Sequence, residues 1–264
     1  MTEGPAADDS QSALREIWQE RANDHGAQLG SVLLARLPEL ANQAIDHWHQ
    51  WIIQREVLPC LPHGASILDL GCGYGRLSKS IQQMRADVVL TGLDFAPAFC
   101  ALYEQQVGRP AVCASAAAPP FPAASFDAVL AVTVLMYLPT DECHAAVERL
   151  LALLKPGGVI LVVDPGAEYL AAARKAGGRA TATGGDGFTL ERFHALAGDQ
   201  AFKSGAMPWL SAVLPMTLWL RRWHLTSKLL LDLAGWLDRH LPVHKRYSLH
   251  RYLVLRSAGD GVGG

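Results

Sequence analysis

The sequence predicts an α/β protein: a doubly wound, mostly parallel sheet of seven strands, with a helical cap before it and a helical insertion late in the chain. Three observations carry this. Between about Ala65 and Pro165, short apolar runs alternate with helix-periodic stretches, the pattern of βα units. Runs such as "VILVV" (159–163) are apolar at every position, as strands covered by helices on both faces require. The first such run leads into "DLGCGYG" (69–75), an acid followed by three glycines at every second position. Glycines there let a strand turn tightly toward a helix N-terminus.

The elements follow in order. From about Ser12 to Leu58 the period is helical: Leu14, Ile17 and Trp18 share a face, as do Val32, Leu33, Arg36 and Leu37. Pro38 interrupts, and a second helix carries Ile45, Trp48, Trp51, Ile52 and Val57. The preceding "MTEGPAADDSQS" is polar and acidic and reads as a frayed tail, not a signal peptide. "LPCLPHG" (58–64) is a hinge. Strands are expected at Ser66–Leu70, Asp87–Leu93, Ala111–Ala114, Phe126–Thr133 and Val159–Asp164, and helices at Gly75–Met84, Pro97–Gly108 and Asp141–Leu154. Beyond Glu168, "AGGRATATGGDG" (Ala176–Gly187) reads as a mobile loop. Thr189–Ala197 is helical with Thr189 as N-cap, Phe202–Leu210 is a strand, Leu214–Leu241 one or two amphipathic helices, and Tyr247–Arg256 a final strand. Three segments result: a cap over 1–62, a ligand-binding core over 63–170, and a covering segment with the last strand over 171–264.

Composition bounds the function. A chain of 264 residues, half of them apolar, suits one embellished domain. The net charge is −2 with both signs mixed, so no basic stripe marks a nucleic-acid partner. Cys60, Cys72, Cys100, Cys113 and Cys143 show no C-x-x-C spacing, which argues against a disulfide framework and a zinc site and fits a reducing cytoplasm. No ligand cluster for another metal stands out. The apolar stretch Met207–Leu220 is broken by Pro208 and Pro215 and is too short to span a bilayer. The tryptophan-rich segment Trp219–Trp236 reads as core, lid or the face of a homodimer.

The glycine loop departs from the G-x-G-x-x-G of dinucleotide enzymes, because Arg76 stands where their last glycine would. Asp69, two residues before the first glycine, suits a ligand ammonium group and would repel a pyrophosphate. Asp94 ends the next strand, where a carboxylate accepts both hydroxyls of a ribose, and Phe95 beside it can pack on an adenine face.

"ILDLGCGYGRLS" (67–78), "TGLDFAP" (91–97), "PPFPAASFDAVLAVTVLMYLP" (119–139) and "LLKPGGVILVVDP" (153–165) together resemble the successive motifs of class I S-adenosylmethionine-dependent methyltransferases. The resemblance implies the Rossmann-like fold of that family, with S-adenosyl-L-methionine as cofactor. Carried over residue by residue, it puts Asp69, Gly71, Cys72 and Gly73 at the methionine end. It puts Asp94 on the ribose, Phe95 on the adenine, and Ala131, Val132 and Thr133 near the sulfonium. The family often carries an acid for the adenine amine where this chain has Ser115 and Ala116, so Ser115 or backbone groups would take that contact. Many relatives carry His-His where Met136 and Tyr137 stand. Around the acceptor, Tyr137, Asp164 and Tyr169 are the candidates. Asp164 contacts substrate or holds the "DPG" turn, and Tyr169 faces the pocket or packs. His47 and His49 lie on the helix before the hinge and His194 on a late helix that could face the pocket; none of them is singled out as a general base, which is judged by geometry first. The expected reaction is methyl transfer to a small molecule, of the kind used in specialised biosynthesis. The alternatives are an enzyme that consumes the cofactor without moving its methyl, by cyclisation or aminobutyrate transfer, a protein methyltransferase, and a non-enzymatic binder.

Overall fold

The computed structural model describes residues 5–35, 37–175, 185–220, 223–241 and 247–257. Helices α1 (Pro5–His25), α2 (Leu29–Val32) and α3 (Glu39–Ile52) come first. A π-turn at Ile53–Val57 and a 3-10 turn at Leu58–Cys60 lead into the sheet. Then follow β1 (Ser66–Leu70), α4 (Arg76–Met84), β2 (Val89–Asp94), α5 (Pro97–Val107), β3 (Ala111–Cys113) and β4 (Phe126–Val132). A 3-10 turn at Leu135–Tyr137 precedes α6 (Cys143–Ala152), β5 (Leu154–Pro165), α7 (Ala167–Lys175) and α8 (Leu190–Ala195). The chain ends through β6 (Phe202–Ala206), α9 (Pro208–Trp219), α10 (His224–His240) and β7 (His250–Arg256).

The seven strands run β3-β2-β1-β4-β5-β7-β6. β1 to β5 are parallel, and β7 inserts antiparallel between β5 and β6. The order reverses at β1, which pairs with both β2 and β4, and open α/β sheets bind ligands at such a switch point. Both faces are covered. Ile67, Leu90 and Leu130 pack with Ile45, Trp48 and Ile52 of α3, while Leu68, Val129 and Ile160 pack with Val147 and Leu150 of α6. That double burial is why the strands are apolar without alternation.

Three expectations need adjustment. The polar start is helical from Pro5, where proline fits a first helical turn. The strand expected over Phe202–Leu210 stops at Ala206, because Pro208 opens α9 and a proline cannot continue the ladder. Helix α7 was not expected. Most of the Gly-rich stretch, 176–184, lies outside the described residues, as does Arg36.

Candidate active site

A cleft opens at the C-terminal ends of β1, β2 and β4, lined by apolar groups and a few converging polar ones, as a small-ligand site is. Two carboxylates converge on it. Asp69, at the end of β1, accepts a 2.7 Å hydrogen bond from Ser78 Oγ, which lies 3.0 Å from the Tyr103 hydroxyl. Asp94, at the end of β2, accepts the N–H groups of Gly73 and Ala96, both at 3.0 Å. Burial pushes each carboxyl up to about 6, against the opposing hydrogen bonds. Neither forms an ion pair among the described residues. A ligand bringing an ammonium to Asp69 and a diol to Asp94 would return both to the ionised form. A pyrophosphate would meet two buried acids. The donor set fits S-adenosylmethionine.

The glycines matter for two reasons. Gly71 and Gly73 have φ of +65° and +52°, a region other residues resist. A Cβ on Gly73 would sit 2.7 Å from Val32 Cγ1, and one on Gly71 2.5 Å from Val134 Cγ2. So the space that Gly73 leaves open is filled by α2, part of the cap. Thr133, just past β4, also has a positive φ of +59°. For a β-branched residue that is strain of order 1–3 kcal/mol, of the kind that clusters at functional sites.

Cys72, Phe95, Ser115, Ala116, Val132, Thr133 and Tyr137 line the cleft. Burial and the two carboxylates push the Cys72 thiol well up, so it acts as a small residue and not a thiolate. Ser115 Oγ accepts the Ala117 N–H at 3.2 Å, closing its own turn. Ala131 does not reach the cleft: it is fully buried in β4 among Leu70, Leu135 and Val162. Of the three acceptor-side candidates, Tyr137 alone lines the site. Asp164 is fully buried and accepts the Met136 N–H at 3.2 Å. It steadies the 3-10 turn that carries Tyr137, while its other oxygen is buried without a partner among the described residues. Desolvation holds its carboxyl well above the usual range. Tyr169 packs against Tyr247, ring centres 5.4 Å apart, and belongs to the core beside α7.

The cover comes from α1, within the segment 1–62 expected to cap the site. Gln11, Leu14 and Trp18 of α1 line the cleft. The Trp18 ring meets Tyr137 edge-on at 5.5 Å and Phe99 at 6.1 Å. Gln19 Oε1 accepts the Ala98 N–H at 3.0 Å, tying α1 to the start of α5. The Leu14–Ile17–Trp18 stripe signalled an amphipathic helix but not its target. Trp48 of α3 belongs to the core.

Beyond Trp18, Val32, Thr133 and Tyr137, which line both spaces, lies a second chamber of about 470 Å³. Its further walls include Ile45, Met136 and Leu170, with Arg21 and His250 as polar groups. His49, from α3, contacts His250 Nδ1 through Nε2 at 3.0 Å and Arg76 Nη2 through Nδ1 at 3.1 Å. Arg76 is itself ion-paired with Asp46 and lines the cofactor cleft. Desolvation holds His49 well below its usual pKa and takes His250 down to about 3, so both are neutral. His194 stacks on Phe202 at 4.9 Å and lines neither space.

Residues 67–158 match the family model described as a methyltransferase domain. The chain is 30% identical over 108 residues to tRNA (carboxymethyluridine(34)-5-O)-methyltransferase alkbh8 of Xenopus tropicalis, covering 40% of this chain and 16% of that protein. It is 35% identical over 118 residues to the 2-methyl-6-phytyl-1,4-hydroquinone methyltransferase of a Synechocystis strain, covering 40% and 34%. It thus spans well under two thirds of either relative. Among solved structures, the [4+2]-cyclase SpnF superposes with a TM-score of 0.52 at 22% identity, over 83% of this chain and 82% of that one, which bears on the fold alone. The domain match, the ordered motifs and the two-acid cleft fall on the same stretch: residues 67–158 form a methyltransferase domain, and the S-adenosylmethionine site expected of it lies at the C-terminal ends of its strands.

Proposed function

We propose that this protein transfers the methyl group of S-adenosylmethionine to a small-molecule acceptor held in the second chamber. The observation that carries the reading is the continuity of the two spaces: Thr133 and Tyr137 border both the two-acid cleft and the chamber. When bound, the cofactor would supply an electrophilic methyl group for transfer to the acceptor's lone pair, leaving S-adenosylhomocysteine. The residues here do the rest. Asp94 and Phe95 hold the nucleoside, and Asp69 holds the amino group. Trp18 and Val32 exclude water, and Tyr137 orients the acceptor at the junction. The Nδ1 atoms of His49 and His250 are already taken by Arg76 and by His49, so neither imidazole has a lone pair to spare, and the reading takes the acceptor nucleophile as unprotonated on arrival. The mixed charge of the sequence and the mostly apolar lining of the chamber favour a small molecule over a nucleic acid. Five unpaired cysteines favour a reducing, cytoplasmic setting.

The test incubates the purified protein and S-adenosylmethionine with a small-molecule extract and reads both products by mass spectrometry. The reading expects S-adenosylhomocysteine together with an acceptor heavier by one methylene unit. Methylthioadenosine, or a rearranged product that has gained no mass, would overturn it in favour of the other chemistries of this fold.

A further inference from the structure

The chamber carries hydrogen-bond donors without matching acids. Arg21 is half-buried in its wall. Its Nη2 donates to the carbonyls of Gly30 and Leu33 at 2.7 and 2.9 Å, and its Cζ lies 4.7 Å from the Trp18 ring centre. These contacts fix the guanidinium without neutralising it. No described carboxylate pairs with it, its Nε is buried without a partner among the described residues, and no described acid lines the chamber. A desolvated cation left this way is costly unless a ligand supplies the charge.

The histidine relay sets the second donor. A guanidinium only donates, so His49 Nδ1, which faces Arg76, accepts. The single proton of neutral His49 is therefore on Nε2, and it is given to His250 Nδ1. His250 in turn keeps its proton on Nε2, which has no hydrogen-bond partner among the described residues. Resting on the methyl-transfer reading, we propose that the chamber selects acceptors with an apolar body and an anionic oxygen, held by Arg21 and by the Nε2–H of His250. The Asp46–Arg76–His49 chain positions His250 and ties this choice to the cofactor loop.

The test uses the full chain loaded with S-adenosylhomocysteine and two matched probes, phenylacetate and phenylacetamide. The acid is expected to bind at least about tenfold more tightly, the effect of one charge-assisted hydrogen bond. Arg21→Gln should erase that preference while leaving S-adenosylhomocysteine affinity unchanged. Nitrogen-15 spectra of labelled histidines should show His49 and His250 as neutral Nε2–H tautomers, with His250 losing that fixed state in Arg76→Lys. Equal binding of the two probes, no binding of the acid, a preference that survives in Arg21→Gln, or a Nδ1–H tautomer at His250 would overturn the proposal. A failed methyl-transfer reading would show separately, as loss of S-adenosylhomocysteine binding in the unmodified protein.

Discussion

Trp18 and Trp223 both sit on apolar helices outside the sheet, one from each end of the chain, and they face opposite ways. Trp18 turns inward, its ring against Tyr137 and Phe99 at the mouth of the cleft. Trp223 caps α10 and points to solvent. The sequence offers both as covers, the second also as core or dimer face; the N-terminal one lines the cleft, and no described residue of α9 or α10 does. The difference lies in what each helix meets. Helix α1 finds an aromatic shelf and a first-turn amide of α5 to hold, the Ala98 N–H. Helix α10 spends one stripe on α9, where Asp238 accepts the N–H groups of Trp209 and Leu210, both at 2.9 Å. Its second apolar stripe is left over. A helical period announces that a face will be covered, but not by what.

The comparison breaks most visibly by removing one cover at a time. Deleting residues 1–25 should lower turnover on the order of a hundredfold or more, since the acceptor loses both alignment and its water seal. Trp219→Ser/Trp223→Ser should leave turnover of a soluble acceptor within about twofold, as surface changes away from a site do. Equal effects would mean that the two ends share one task.

A smaller change tests how the inner cover meets the loop. Gly73→Ala puts a Cβ against Val32 at a backbone angle that alanine resists. Cofactor affinity should fall by about 1–3 kcal/mol, read by calorimetry. Adding Val32→Ala should restore the steric part and leave the part due to φ. Full rescue would show that the angle does not matter, and no rescue that α2 does not close on the loop.

The smallest effect is a proton count. Asp69 and Asp94 have carboxyls raised to about 6, and an ammonium or a diol favours their ionised form. Ligand binding therefore lowers both pKa values. Binding near pH 6 should release protons, affinity should fall as pH drops below about 6, and release should vanish by about pH 8. Calorimetry in buffers of different ionisation heat reads this directly. Uptake of protons, or affinity flat across that window, would contradict the assignment.

Much of the core was legible because its signals are local. β1 was placed residue for residue at Ser66–Leu70, and the acids that end β1 and β2 were read from position alone. Burial on both faces and the demands of the glycine turn write themselves into consecutive residues. The acceptor side was not legible, because it is assembled across the sequence. His49 and His250 are 201 residues apart, and Arg21 reaches the chamber from a helix that no motif marks. Asp164 and Tyr169 sit at the right rim, yet one steadies a turn and the other packs. Strand position gave the rim but not the direction of the side chain. The apolar count of Trp219–Trp236 likewise gave helices without their orientation.

The central claim is a cofactor held by two buried acids, and Asp94 bears on it most directly. Calorimetry of S-adenosylhomocysteine on the unmodified protein and on Asp94→Ala should show micromolar binding that weakens by about 2–4 kcal/mol, the loss of a charge-assisted bidentate contact. Unchanged affinity in Asp94→Ala, or a preference for NAD in the unmodified protein, would contradict it.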